Sequence, residues 1–120
     1  MRGNPGEIQD QCAVEIAMEV LGGRWKLAII RKLFIGTHRF GELRRALPGV
    51  TQRMLTRQLR ELEADGLISR TVHAEVPPRV EYALTDTGRS LERITDLLDS
   101  WGRWYRDTRP HRDENPVGRA

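Results

Sequence analysis

Arg53, Arg57 and Arg60 stand at i, i+4 and i+7 in the run Gln52-Arg53-Met54-Leu55-Thr56-Arg57-Gln58-Leu59-Arg60. On a helix this spacing carries three guanidinium groups along one face. Leu55, Leu59 and Leu62 repeat the interval, so they turn toward a core and leave Gln52, Arg53, Thr56, Arg57 and Arg60 outward. The outward set suits the base edges of a DNA major groove, where arginine is bidentate to guanine O6 and N7, glutamine bonds adenine, and threonine serves a base or a phosphate. Arg60, farthest along, suits the sugar-phosphate backbone, with pairing to Glu61 or Glu63 as its competing use.

The charge around this run points the same way. Residues 22–60 hold ten basic side chains (Arg24, Lys26, Arg31, Lys32, Arg39, Arg44, Arg45, Arg53, Arg57, Arg60) against Glu42 alone, a net +9 inside a 120-residue chain whose total is only +3. A localised field of this kind attracts a polyanion through counterion release. Arg39, Arg44 and Arg45 are candidates for phosphate contacts that position without reading sequence. Arg79 is a candidate for the flanking minor groove, with Glu75 beside it opposing that use.

Other chemistry is poorly represented. The chain has no GxGxxG, GxxxxGK, GxSxG, CxxC or HExxH spacing. His38, His73 and His111 are far apart, and Glu92, Asp96 and Asp99 at i, i+4, i+7 form an ordinary solvated helix face. We therefore expect no enzyme, no catalytic residues, no metal site and no cofactor. One cysteine, Cys12, excludes an internal disulfide. No apolar run approaches the ~20 residues of a membrane span, and the first ten residues lack the apolar stretch of a secretory signal, so the expectation is a cytoplasmic protein with no membrane partner.

The elements that would position the arginines follow from periodicity and punctuation. Helical spacing runs from Cys12 to Leu21, stopped by Gly22-Gly23, and again from Trp25 to Phe34, stopped by Gly36. Phe40 to Leu47 is a short third helix ended by Pro48-Gly49. Thr51 is a good N-cap for a fourth, running to Asp65 before Gly66. Leu67 to Val72 and Val80 to Leu84 read as two strands of a hairpin whose connection, His73 to Arg79, carries Pro77-Pro78 and should protrude. Thr85 caps a last helix from about Asp86 to Trp104. Its apolar stripe through Leu91, Ile94, Leu97, Leu98, Trp101 and Trp104 exceeds what one small core requires. The fold class is mainly α with a small β-hairpin (α+β), a winged helix-turn-helix whose terminal helices form a dimer interface. The expected division is a flexible arm over 1–11, a DNA-binding and dimerisation domain over 12–105, and a disordered tail over 106–120.

A resemblance rests on many short pieces in register: Gly22-Gly23-Arg24-Trp25, Arg39-Phe40-Gly41-Glu42-Leu43, Met54-Leu55-Thr56, Leu59-Arg60-Glu61-Leu62, Asp65-Gly66-Leu67-Ile68, Pro77-Pro78, Val80-Glu81-Tyr82, Leu84-Thr85, Gly88 and Trp101. Over roughly Cys12 to Trp104 the chain resembles the HxlR-type winged-helix transcriptional regulators of bacteria, relatives of the MarR group. The resemblance implies a homodimer joined through the first and last helices, with two recognition helices on a pseudo-palindromic operator. The surplus apolar stripe agrees with this, and the expected interface residues are Val14, Leu91, Ile94, Leu98, Trp101 and Trp104. The DNA-binding set is Arg39, Arg44, Thr51, Gln52, Arg53, Thr56, Arg57, Arg60 and Arg79.

Cys12 begins the first helix, where free N–H groups and the helix dipole favour a thiolate, although Asp10 and Glu15 oppose it. Several members of the resembled family sense oxidants or electrophiles through a cysteine at this position, which makes a small oxidant or electrophile an expected effector. This sequence has Cys12-Ala13 where a proline often follows the cysteine. The competing reading of Cys12 is a small hydrophobe without redox function. The function expected is a sequence-specific regulator, a repressor in the first instance. The alternative is a winged-helix module for protein or RNA contact, which would show apolar or acidic residues where Gln52, Arg53, Thr56 and Arg57 stand.

Overall fold

The computed structural model describes residues 12–109, and these form two compact units that divide between Ser90 and Leu91. The first contains α1 (Ala13–Leu21), α2 (Lys26–Ile35), β1 (His38–Arg39), α3 (Phe40–Ala46), α4 (Gln52–Ala64), β2 (Ile68–His73), β3 (Arg79–Leu84) and α5 (Asp86–Arg89). The second contains α6 (Glu92–Thr108). The arm expected over 1–11 lies outside the described residues, as does the tail from 110 onward. Among the described residues no helix is long and apolar enough to cross a membrane.

Local chemistry fixes both ends of α4. Thr51 is extended, and its Oγ1 accepts the Met54 N–H at 3.1 Å, satisfying a donor that the helix leaves orphaned. At the other end Gly66 takes φ +78°, the Leu67 N–H donates to the Leu62 carbonyl at 3.0 Å, and the Gly66 N–H donates to that of Glu63 at 3.0 Å. Leu62 and Leu67, the apolar pair that closes such a C-terminal motif, are both buried. Between α3 and α4 the chain reverses at Pro48-Gly49, with Gly49 at φ +94° and the Val50 N–H donating to the Leu47 carbonyl at 3.1 Å. Proline followed by a positive-φ glycine is what a type II turn requires.

The core of this unit gathers Ile29 and Ile30 from α2, Leu43 from α3, Leu55, Leu59 and Leu62 from α4, and Leu67, Ile68, Tyr82 and Leu84 from the hairpin and its entry. From α1 only Leu21 is fully buried. The stripe read from α4 is therefore the face that holds this helix in place.

The sheet has three antiparallel strands in the order β1-β3-β2. Ile68 pairs with Leu84, Arg70 with Tyr82 and Val72 with Val80, while His38 and Arg39 pair with Tyr82 and Glu81. Strand β1 is absent from the expectation. Two residues carry no period to detect, and this strand exists because β3 offers a second edge. The hairpin base is joined to the end of α4 through Thr85. Its N–H donates to the Leu67 carbonyl at 3.1 Å and its Oγ1 donates to the Gly66 carbonyl at 2.6 Å while accepting the Gly88 N–H at 3.1 Å.

The single helix expected from Asp86 to Trp104 is two helices. Ser90 donates its hydroxyl to the Thr87 carbonyl, and its N–H is shared between the Asp86 and Thr87 carbonyls. A serine that competes for the backbone in this way ends the turn, and α6 then starts afresh after Leu91. Helix α6 also runs beyond Trp104 to Thr108, so residues 106–108, placed in the tail by the sequence reading, are helical.

Candidate nucleic-acid interface

Helices α3 and α4, joined by the tight turn, form a helix-turn-helix, and the β2-β3 hairpin that follows is the wing. Gln52, Arg53, Arg57 and Arg60 are exposed and Thr56 is half-buried beside them. All five border one open groove along the outward face of α4. The leucine stripe is buried on the other side, which is why the polar set faces out. The arrangement offers a row of hydrogen-bond donors spaced along one helix face, the geometry that a recognition helix presents to a major groove.

Glu61 connects this face to the interior. Its Oε1 lies 2.7 Å from Lys26 Nζ, and its Oε2 lies 3.6 Å from Arg57 Nε. Lys26 is almost fully buried at the start of α2, so this cation of the basic segment is committed inside the fold. Arg24 is likewise engaged, its guanidinium 5.0 Å from the Trp25 ring centroid. The +9 segment therefore presents fewer free cations than its count implies.

Arg44 and Arg45 are exposed on α3 and share with Gln52 a cleft of about 490 Å³ at the N-terminal end of α4. Thr51 serves as the helix cap. Arg39 stands on β1 opposite Glu81, on the face of the sheet away from Arg70 and Tyr82, and its N–H donates to Glu42 Oε1 at 2.7 Å. Arg79 is held inside the wing, 2.9 Å from Glu75 and 3.1 Å from Glu81. The minor-groove use foreseen for it competes with two carboxylates, and the fully exposed tip residue is Val76. His73 completes the cluster, with its Nε2 2.9 Å from Glu81 Oε1. The hydrogen bond from His73, reinforced by the charge of Arg79, holds the Glu81 carboxyl below its usual range although partial burial opposes the shift.

Arg70 was missed by the sequence reading. It is exposed on β2, opposite Tyr82, and borders a cleft with Thr56 and Arg60. The strand alternation Ile68, Arg70, Val72 carries the signal, because it places Arg70 on the face of the hairpin that packs beneath α4.

Cys12 is exposed at the N-cap of α1, and its backbone N–H donates to Glu15 Oε1 at 3.3 Å. Val14 and Met18 on α1 are exposed, as are Ile94, Leu97, Leu98, Trp101 and Trp104 on α6, whereas Leu91 is half-buried. Trp101 stacks on Tyr105 at 5.0 Å between centroids and stands 6.1 Å from Trp104. Among the described residues no cluster of His, Cys, Asp or Glu could hold a metal ion.

Fold and face together define a winged helix-turn-helix protein of the DNA-binding class. Residues 20–110 match the HxlR-like helix-turn-helix family, and the chain belongs to it. It is 54% identical over 101 residues to the HTH-type transcriptional regulator YtcD of Bacillus subtilis (strain 168), covering 80% of each chain. The redox regulator HypR, solved in reduced and oxidized forms, superposes in its reduced form with a TM-score of 0.78 at 49% identity, covering 81% of this chain and 96% of that one. A transcriptional regulator of the MarR family from Enterococcus faecalis V583 gives a TM-score of 0.71 at 42% identity, covering 90% and 94%. The protein is an HTH-type transcriptional regulator and not an enzyme.

Proposed function

We propose that the protein is a cytoplasmic repressor that binds a pseudo-palindromic operator as a homodimer, reading bases with Gln52, Arg53, Thr56 and Arg57 and responding to oxidants or electrophiles through Cys12. The observation that carries the reading is the exposed face of α4, where these four side chains and Arg60 line one groove while the leucines of the same helix are buried. Arg44 and Arg45 flank it as phosphate contacts. Dimerisation is supported by two apolar faces, Val14 and Met18 on α1 and Ile94, Leu97, Leu98, Trp101 and Trp104 on α6, whose large side chains stand exposed in the single chain. A redox response is supported by the exposed thiol of Cys12 and by likeness to a redox regulator. Two Cys12 thiols, one from each protomer, would form a disulfide, with diamide taking up the two hydrogens released.

The test is a titration, at fixed salt, against duplexes from upstream of the protein's own gene and of its divergent neighbour. It is run on reduced and diamide-treated protein with Cys12→Ser in parallel. Selective binding that diamide abolishes only in the cysteine-containing protein is the expected result. Selective binding indifferent to diamide refutes the thiol switch, and no selectivity at moderate salt refutes the operator reading.

A further inference from the structure

At the base of the wing a second cleft adjoins the recognition face and adds Arg70 to the Arg60 that the two share. Arg60 on α4 and Arg70 on β2 border the same cleft of about 390 Å³, whose lining also includes Phe40, Tyr82, Thr56 and Glu63. Arg70 is the cross-strand partner of Tyr82, so the two side chains share one face of the sheet, and Arg70 is exposed there. Among the described residues neither Arg60 nor Arg70 takes part in an ion pair, in contrast to Arg57, Arg79, Arg103 and Arg106. The one acid in the cleft, Glu63, leaves it a net cation. Two arginines from different elements, neither of them ion-paired and both lining one cleft, offer donors suited to a phosphodiester.

We propose that this cleft seats a backbone phosphate of the bound duplex, with Arg70 and Arg60 as its ligands. The seat rests on the DNA-binding reading above and adds to it a contact that clamps the duplex between recognition helix and wing without reading sequence. Arg60 is thereby assigned to the backbone through the wing, and Glu63 becomes a residue that weakens the clamp by repulsion.

The experiment is a salt series of binding titrations on the full chain, using an operator duplex and a scrambled duplex of equal length. Arg70→Gln should weaken both complexes to a similar extent, roughly tenfold, and lower the slope of log K against log salt by about 0.9 for each protomer bound. Arg70→Lys keeps a point charge and should restore most of the slope, whereas Glu63→Gln should tighten both complexes without altering preference. An Arg70→Gln variant whose affinity and slope match the parent overturns the seat, and so does a loss confined to the operator, which would make Arg70 a base reader. These failures are separate from failure of the function itself, which would appear as a parent protein that does not prefer operator to scrambled duplex.

Discussion

The Lys26–Glu61 pair predicts an asymmetry between two substitutions that remove the same interaction. The ammonium side chain is 5% exposed and the carboxylate 36% exposed, with 2.7 Å between Nζ and Oε1. At that distance and an effective dielectric of ~20, the attraction is about 6 kcal/mol, and much of it offsets the desolvation of the lysine. Glu61→Gln removes the compensating charge and strands a buried cation, a loss of about 3 kcal/mol. Lys26→Met keeps the aliphatic volume and removes the buried charge, while Glu61 retains water and Arg57, so the loss should stay below ~1 kcal/mol. The double variant should resemble Lys26→Met, because no cation remains to strand. Urea unfolding followed by tryptophan fluorescence at one fixed protein concentration measures all three. In a domain of this size the Glu61→Gln loss corresponds to a fall in melting temperature on the order of 10–20 °C. Equal losses for the two single variants, or a larger one for Lys26→Met, would refute the reasoning, since the ranking follows only from which partner is buried.

Other consequences are as direct. Arg57→Ala should cost about 1–3 kcal/mol on a cognate duplex and flatten discrimination among single-base variants of it, measured by competition binding. Gly88→Ala places a methyl group against the Leu67 carbonyl and within 2.9 Å of Leu84 Cδ2, so it should lower stability by at least ~1–3 kcal/mol in thermal unfolding. The Glu81 carboxyl titrates below its unfolded value, so its contribution is present above that value and fades as pH falls through the folded one. In acid titrations followed by circular dichroism, Glu81→Gln should be less stable than the parent near neutrality, with the difference narrowing on acidification.

How far the sequence carried depended on whether a feature was local. Helix α4 was legible at both ends because Thr51, Gly66 and the leucine interval each act within a few residues of themselves. The outward arginine face followed from the same interval. Strand β1 was not legible, since His38 and Arg39 become a strand only through β3, more than forty positions away. The break before Leu91 left no mark on the apolar period, which begins only at Leu91, while Ser90 and Thr87 settle the matter through a side-chain bond. Counting charge overstated the free cations because Lys26 finds Glu61 thirty-five positions away, and Arg70, outside the basic segment, was undervalued because its nearness to Arg60 exists only in space.

The stitch at Thr85 has a mechanical meaning. One residue ties the exit of the hairpin to the carbonyls of Gly66 and Leu67, the two positions at which the chain leaves α4. The reading helix and the wing root therefore behave as a caliper with a fixed jaw. Were a duplex to contact both as proposed, these bonds would resist a change in the gap, and a mismatch in groove spacing would fall to bending or twisting of the nucleic acid. Sequences that deform easily would then be favoured at base pairs that no side chain touches.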